Sequence, residues 1–132
     1  MKTITTWKSG HQFESVYREG KIEIDGHTGY GPKALLLAGL AGCSGIDVVD
    51  ILEKMRVLFA DLKIEVATEQ TEEHPRVFKD IHIHYIISTD EENRGKVMKA
   101  IELSLDKYCG VSAMLKKNSK IDYTLTIKPE AV

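Results

Sequence analysis

The sequence has few cysteines and no concentration of charge. Two cysteines among 132 residues are too few for a disulfide scaffold, and a cytosolic pair is more often catalytic or redox-sensing than structural. The formal net charge is −2, with Lys and Arg scattered along the chain, so no nucleic-acid partner is expected. A P-loop, a glycine-rich dinucleotide fingerprint and a Gly-x-Ser-x-Gly elbow are also missing. Nucleotide and serine-hydrolase chemistry are therefore not expected.

No segment resembles a secretory signal or a membrane span. The N-terminus, MKTITTWKSG, has no apolar core of the kind that a secretory signal requires. The uncharged run at residues 34–46 is shorter than the roughly 18 apolar residues that mark a membrane helix. These features predict a cytoplasmic protein without a membrane partner.

The pattern of apolar residues predicts a single α+β domain over residues 1–132. Strand-forming residues at 3–25 predict a three-stranded meander, and the apolar run that follows predicts a long helix over residues 32–57. Two more strands, a helix opened by a capping box of Thr89 and Glu92, a short helix and a last strand come next. Because strands and helices are segregated, the sheets should be largely antiparallel.

The long helix begins with a stretch that is apolar on every side, which predicts burial on every side. Gly39, Gly42 and Gly45 recur in it at every third residue, and each costs about 1 kcal/mol of helix propensity relative to alanine. A close neighbour should offset that cost. One chain also has few strands with which to wrap such a helix. Together these features predict an intertwined homodimer.

Cys43 and Cys109 are the candidate catalytic residues. A reactive thiolate requires a lowered pKa, from a nearby cation or a helix N-terminus. Cys43 lies about three turns into the long helix, so its activation would come from a side chain that the fold brings in; alternatively it is a small core residue. Cys109 stands where the short helix begins, where amide hydrogens favour an anion; alternatively it is only a helix cap. Spacing does not establish whether the two sulfurs lie close together.

Three histidines are weaker candidates. His82 and His84 alternate along a predicted strand and would point the same way, as two metal ligands do. Zinc requires three or four ligands, so a solvated sheet face is the preferred interpretation. His27, in the loop before the long helix, could act as a base towards Cys43. No metal or other cofactor is predicted.

Two segments resemble the OsmC/Ohr family of thiol-dependent hydroperoxide-handling proteins. The segment GPKALLLAGLAGCSGIDVVDILEKMR is similar to the family's central helix with its reactive cysteine, and KYCGVSAMLKKNSKI to its second-cysteine turn. The resemblance covers nearly the whole chain and is closest to a branch with poorly defined activity. It implies an α+β fold in which antiparallel sheets wrap around two central helices in an intertwined dimer. It also implies that Cys109 resolves the oxidised Cys43.

The sequence departs from the peroxidase branch of that family at one place. Proteins of that branch carry a glutamate just after the helix proline, paired with an arginine from the N-terminal strands that holds the cysteine thiolate. Here Lys33 and Ala34 follow Pro32, and Arg18 is the one possible counterpart of the arginine. The absent pair predicts slower peroxide turnover.

Two functions from different classes remain open. In the first, Cys43 reduces an organic hydroperoxide and becomes a sulfenic acid, Cys109 resolves it as a disulfide, and an external dithiol restores both thiols. This chemistry requires no metal, flavin or haem. In the second, the protein is a non-enzymatic dimer that binds a small apolar ligand beside the glycine ridge, or senses redox state through its thiols. The cysteine pair favours the first function and the absent glutamate favours the second.

Overall fold

The computed structural model describes residues 1–129, so the last three residues of the predicted domain lie outside the described residues. The chain divides into two compact units, one over Met1–Ala38 and one that begins at Gly39. The prediction of a single domain stays a prediction. In chain order the elements are β1 (Ile4–Ser9), β2 (Gln12–Tyr17), β3 (Gly20–Asp25), α1 (Pro32–Lys54), β4 (Phe59–Gln70), β5 (Phe78–Thr89), α2 (Arg94–Leu103), α3 (Gly110–Leu115) and β6 (Ile121–Lys128).

The first unit contains the predicted meander, in which β1, β2 and β3 pair antiparallel. Its two faces differ in chemistry, because residues directly opposite each other on paired strands share a face. One face carries ion pairs, with Glu14 contacting both Lys8 and Lys21. On the other face Trp7 lies opposite Phe13, and Trp7 remains 63% exposed. The meander therefore presents one charged face and one apolar face.

Asp25 organises the loop that leads to α1. Its carboxylate accepts hydrogen bonds from the backbone amides of His27, at 2.9 Å, and Thr28, at 3.3 Å. These donors stabilise the charged form, and the pKa of Asp25 is lowered to about 2, with the His27 amide as the largest cause. Asp25, the last residue of β3, thus fixes the start of this loop through these hydrogen bonds.

Helix α1 buries one stripe rather than its whole circumference. It ends at Lys54, three residues before the predicted end. Leu36 is 50% exposed and Ile46 66% exposed, so one chain alone does not bury this helix on every side, and the predicted burial in a homodimer stays a prediction. The physical reason is geometric, because residues four apart share one face of a helix. The buried residues are Leu40, Ser44, Val48 and Leu52.

By length and composition alone, α1 is able to cross a membrane. The argument from the short uncharged run therefore does not hold for the whole helix. A core helix meets the same criteria, and the buried stripe of α1 belongs to the hydrophobic core of the second unit. That packing favours a core helix.

The second unit is built on a three-stranded sheet in the order β4–β5–β6. Strands β4 and β5 pair antiparallel, whereas β5 and β6 pair parallel. The prediction of largely antiparallel sheets is thus confirmed, with one parallel pair, for which α2 and α3 supply the crossover. Strand β5 lies in the middle, and its alternate residues form the centre of the core: Ile81, Ile83, Tyr85 and Ile87.

The predicted capping box of Thr89 and Glu92 is wrong. Asp90, and not Thr89, caps the 3₁₀ turn Glu91–Asn93 that precedes α2, and its carboxylate accepts a hydrogen bond from the Glu92 amide at 3.0 Å. Thr89 is the last residue of β5 and is buried. Its hydroxyl donates instead to the Leu58 carbonyl at 2.6 Å. The Thr89 hydroxyl is therefore bonded at the buried end of β5 and does not cap the helix that follows.

Truncation of the buried stripe should destabilise the second unit. Leu52→Ala removes a fully buried side chain and should lower the free energy of unfolding by about 2–5 kcal/mol. Its matched control is Glu53→Ala, one residue further along α1 and exposed, which should change the free energy by less than about 0.5 kcal/mol. Urea unfolding at one fixed protein concentration measures both. Equal effects of the two substitutions would contradict the assigned face of α1.

Candidate functional site

Cys43 lies on α1 beside the buried stripe. Its side chain is half-buried and packs against the core of the second unit. A Cβ atom at Gly45 would lie 3.0 Å from Ile64 Cδ1, whereas Gly39 and Gly42 face open space. Within one chain, the close neighbour expected for the glycine ridge is therefore present at Gly45, where Ile64 from β4 approaches the helix, and not at Gly39 or Gly42.

An apolar groove of about 550 Å³ runs along the same ridge. The hypothesis of a small-molecule binder predicts a hydrophobic pocket at this place, and the structure has an open groove there. The groove is lined by Ala41, Gly42, Gly45, Ile46, Val49, Asp50, Leu62 and Ile64.

Cys109 caps α3, at the end of a π-helical segment that follows α2 and spans Ser104–Tyr108. The Cys109 amide donates to the Ser104 carbonyl at 2.7 Å, which closes this wide turn. The Ser112 amide donates to Cys109 Sγ at 3.3 Å, so the sulfur meets the start of a short helix as predicted. Cys109 is only 3% exposed. Segments of π-helix are frequent at functional sites.

Burial reverses the effect expected from the helix start. It is the largest cause that raises the pKa of the Cys109 thiol, and the Ser112 amide only partly opposes it. An apolar surrounding disfavours the thiolate more strongly than one amide stabilises it. The helix amides favour the Cys109 thiolate as expected, but their effect on the pKa is smaller than that of burial.

The structure brings the two cysteine side chains together. Interaction with the Cys43 thiol is one of the causes that raise the pKa of Cys109, after burial, and this places the two side chains next to each other. Both are free thiols. The site thus consists of a half-buried thiol on α1 beside a buried thiol at the start of α3. We refer to Cys43 and Cys109 as the thiol pair.

Four polar side chains form a second cluster next to the thiol pair, which we call the hydroxyl chain. Ser44 Oγ lies 2.6 Å from the Tyr85 hydroxyl, and Ser104 Oγ lies 2.9 Å from both Ser44 Oγ and Asp47 Oδ2. Burial raises the pKa of Tyr85 to about 12, so this phenol remains protonated near neutral pH. The chain joins α1, β5 and the π-helical segment, and it includes the residue that directly follows Cys43.

Asp47 connects the hydroxyl chain to a cleft of about 410 Å³ at the surface. The cleft combines two carboxylates and one amine with apolar side chains. Its lining residues are Asp47, Asp50, Ile51, Lys54, Met55, Leu103 and Tyr108.

Sequence reasoning missed the hydroxyl chain. One signal was available, because Ser44 occupies the same helical face as Leu40 and Val48 and a buried serine requires a partner. The identity of that partner could not be read from the sequence. Ser104 is 60 residues away and Tyr85 is 41 residues away.

The histidines have partners of their own. His82 and His84 lie on the outer face of the second sheet and are partly exposed, as a solvated sheet face predicts. Among residues 1–129, no group of three or more His, Cys, Asp or Glu side chains could hold a metal ion. The ring nitrogens contact Asp122 and Thr124 in His82, and Glu65 and Thr126 in His84.

The N-terminal unit contains the other residues that the sequence singled out. His27 stacks on His11 with ring centroids 4.4 Å apart. Arg18 lies in the β2–β3 turn with a positive φ of 54°, and its guanidinium sits 5.0 Å from the centroid of the Tyr17 ring. The first turn of α1 contains no acidic residue. The glutamate of the peroxidase branch therefore has no counterpart in that turn.

Comparison with known proteins gives consistent results. The family model described as OsmC-like protein matches residues 25–124. Protein YhfA of Escherichia coli (strain K12) is 34% identical over 131 residues, which cover 96% of this chain and 98% of YhfA. A hypothetical protein from Aquifex aeolicus VF5, known from its crystal structure, is 31% identical with a TM-score of 0.88, and the match covers 98% of this chain and 96% of that one.

The organic hydroperoxide resistance protein OhrB of Bacillus subtilis has the same fold at greater distance. It is 20% identical, with a TM-score of 0.63 and coverage of 96% of each chain. The matched family model includes both residues of the thiol pair and all four of the hydroxyl chain. On the strength of that model and of the similarity to YhfA, the chain belongs to the OsmC-like family.

Proposed function

We propose that this protein is a thiol peroxidase that reduces organic hydroperoxides. The observation that carries the proposal is the close approach of a half-buried thiol, Cys43, to a buried thiol, Cys109. Such a pair suits a thiol that attacks a substrate and a second thiol that resolves the product. Membership of the OsmC-like family and the shared fold of a protein named for organic hydroperoxide resistance support the choice of substrate.

The proposed reaction has three balanced steps. The Cys43 thiolate attacks the outer peroxide oxygen, so that an S–O bond forms, the O–O bond breaks and the alkoxide leaves as an alcohol after taking a proton. Cys109 then attacks the Cys43 sulfenic acid, which forms the disulfide and releases hydroxide as water. An external dithiol reduces the disulfide and is itself oxidised to a disulfide.

The environments of the two thiols support this division of roles. Cys43 is the more accessible of the two, and the attacking sulfur must meet substrate. Because burial raises the pKa of Cys109, this thiol is mostly protonated near neutral pH and is protected from direct oxidation. It would react chiefly when the sulfenic acid forms beside it.

We also propose that the protein works in the cytoplasm, where a dithiol reductant is available and free thiols persist. The reaction involves no nucleic acid and no membrane surface. The apolar groove along the glycine ridge is the proposed route by which an apolar hydroperoxide approaches Cys43.

A second function uses the same groove without catalysis. The first turn of α1 has no acidic residue, so the family's glutamate and arginine cannot activate Cys43 in the usual way. In this reading the protein is a binder of small apolar molecules or a sensor whose thiol pair reports redox state. The open groove beside Gly42 is the observation that favours it.

Either function would be performed by a homodimer. Trp7 on the meander and Leu36 on α1 are both at least half-exposed in one chain, and such apolar surface is typical of an interface between subunits. The intertwined arrangement of the family would cover both. An obligate interface of this kind buries more than roughly 2,000 Å² in total.

Organic hydroperoxide should oxidise the two thiols together. One equivalent of cumene hydroperoxide should convert the parent protein to a disulfide, with a mass loss of two hydrogens. Cys109→Ser should instead gain one oxygen, and excess peroxide should carry it to the sulfinic acid. Mass spectrometry measures both products. Cys43→Ser is the matched control and should remain unmodified.

Turnover with a dithiol should be slower than in a protein that retains the glutamate–arginine pair, because a less stabilised thiolate is a smaller fraction of the thiol. Oxidation of Cys109 alone would refute the peroxidase proposal. A protein that binds apolar molecules in the groove while both thiols stay reduced would support the second function.

The two thiols should differ in their alkylation by iodoacetamide. At pH 7, Cys43 in the Cys109→Ser variant should react at least about tenfold faster than Cys109 in the Cys43→Ser variant. Because burial raises the pKa of Cys109, its thiolate fraction, and so its rate, should keep rising above the pH at which a free thiol levels off. In urea the two variants should react alike. A Cys109 rate that levels off at or below the ordinary thiol pKa would contradict the buried site.

Sedimentation should find a particle of twice the 14.8 kDa chain mass at micromolar concentration. Leu36→Lys should weaken this dimer, because the substitution places a charge on an exposed apolar position of α1 outside the groove. Glu53→Lys, at an exposed position of the same helix, should leave the mass unchanged. A monomeric parent protein would overturn the homodimer.

A further inference from the structure

The hydroxyl chain is a continuous series of contacts between three hydroxyl groups and one carboxylate. Ser104 Oγ donates to Asp47 Oδ2 and lies equally close, at 2.9 Å, to Ser44 Oγ. Ser44 Oγ in turn lies 2.6 Å from the Tyr85 hydroxyl, where either oxygen could be the donor. Bonds in such a series strengthen one another.

Burial makes these contacts costly to disturb. Ser44, Ser104 and Tyr85 are fully buried, and a buried hydroxyl without a partner is strongly unfavourable. No side-chain nitrogen or oxygen atom that is buried within residues 1–129 lacks a hydrogen-bond partner. A displacement of α1 relative to the π-helical segment would break bonds that water cannot replace.

Ser104 links this series to the backbone of Cys109. Its carbonyl accepts the Cys109 amide at 2.7 Å, while its hydroxyl contacts Ser44 and Asp47 on α1. Ser44 directly follows Cys43 in the sequence. One side chain therefore connects the backbone of the buried thiol to the helix that carries the other thiol.

The other hydrogen bonds of this segment run back to α2, where the Ser104 amide bonds to the carbonyls of Ala100 and Ile101, or to residues in and next to α3. The Ser112 hydroxyl donates to the carbonyls of Cys109 and Leu105, and the Lys116 amine donates to the Leu105 carbonyl. These bonds give the turn its shape but do not reach α1. The register between the two thiols thus depends on the contacts of Ser104 with Ser44 and Asp47, together with apolar packing.

We propose that Asp47 and Ser104 are positioning residues for the thiol pair. Asp47 holds the Ser104 hydroxyl at α1, and the Ser104 carbonyl holds the backbone of Cys109. These two contacts keep the two sulfurs at the separation from which a disulfide forms. Neither residue touches substrate or sulfur in this role. The inference deepens the proposed function and rests on it, since it concerns the same two thiols.

The equilibrium between the thiol pair and its disulfide measures this positioning directly. A well-positioned pair has a high effective concentration of one thiol for the other, and therefore a more stable disulfide. A residue that only stabilises the fold would change the unfolding temperature and leave this equilibrium unchanged. The experiment incubates the full-length protein in buffers of reduced and oxidised dithiothreitol at pH 7 and counts free thiols by alkylation and mass spectrometry.

Loss of the anchor should destabilise the disulfide. Ser104→Ala and Asp47→Ala should each lower the equilibrium constant for disulfide formation by roughly tenfold, the size of one hydrogen bond to a charged group. That change corresponds to a rise of about 30 mV in the reduction potential of a two-electron couple. Asp47→Asn keeps an oxygen that can accept the Ser104 hydrogen, so it should stay within about threefold of the parent.

Thr89→Val is the matched control for the loss of a buried hydroxyl. The Thr89 hydroxyl bonds to Leu58 and Asn93, so its removal should lower the unfolding temperature and leave the equilibrium constant unchanged. Constants within threefold of the parent for both Ser104→Ala and Asp47→Ala would overturn the positioning role alone. A parent protein that forms no disulfide in any of these buffers would overturn the proposed function, and the positioning role with it.

Discussion

Buried hydroxyl groups impose the strictest constraint on this fold. Apolar side chains tolerate small displacements, since dispersion contacts have no preferred direction. The contacts between Ser44, Tyr85 and Ser104 are directional, and each lies between 2.6 and 2.9 Å. They fix α1, β5 and the π-helical segment in one mutual arrangement. The close approach of the two cysteines follows from that arrangement, because one cysteine lies on α1 and the other directly follows the π-helical segment.

Much of the fold was predictable from local sequence, and the reasons are physical. Alternation of apolar and polar residues predicted β5 and β6, and the apolar run predicted α1, since each pattern reports the period of its own element. The parallel pairing of β5 with β6 was not predictable, because it depends on how the intervening helices cross the sheet. The cap at Asp90 was missed by one residue, because the Thr89 hydroxyl donates to the Leu58 carbonyl, a contact distant in sequence.

Local sequence singled out the two cysteines as candidates but did not report their energetics. The helix start was expected to favour the Cys109 thiolate, yet burial raises the pKa of this thiol. Burial depends on residues distant in sequence, so no local pattern reports it. The same limit applies to Asp47, which reads as one of several charges on the polar side of a helix and is distinguished only by its contact with Ser104.

The parallel strand β6, at the edge of the second sheet, affects how the chain folds during its synthesis. Strand β6 completes the core through Ile127, and it pairs with β5 only after the intervening helices have crossed the sheet. Contacts between residues so far apart form slowly, since a long loop must close first. During synthesis on the ribosome, the apolar edge of β5 stays uncovered until residue 128 has emerged. Until then this edge of β5 is open to pairing with another chain, and such unpaired edges are where aggregation begins.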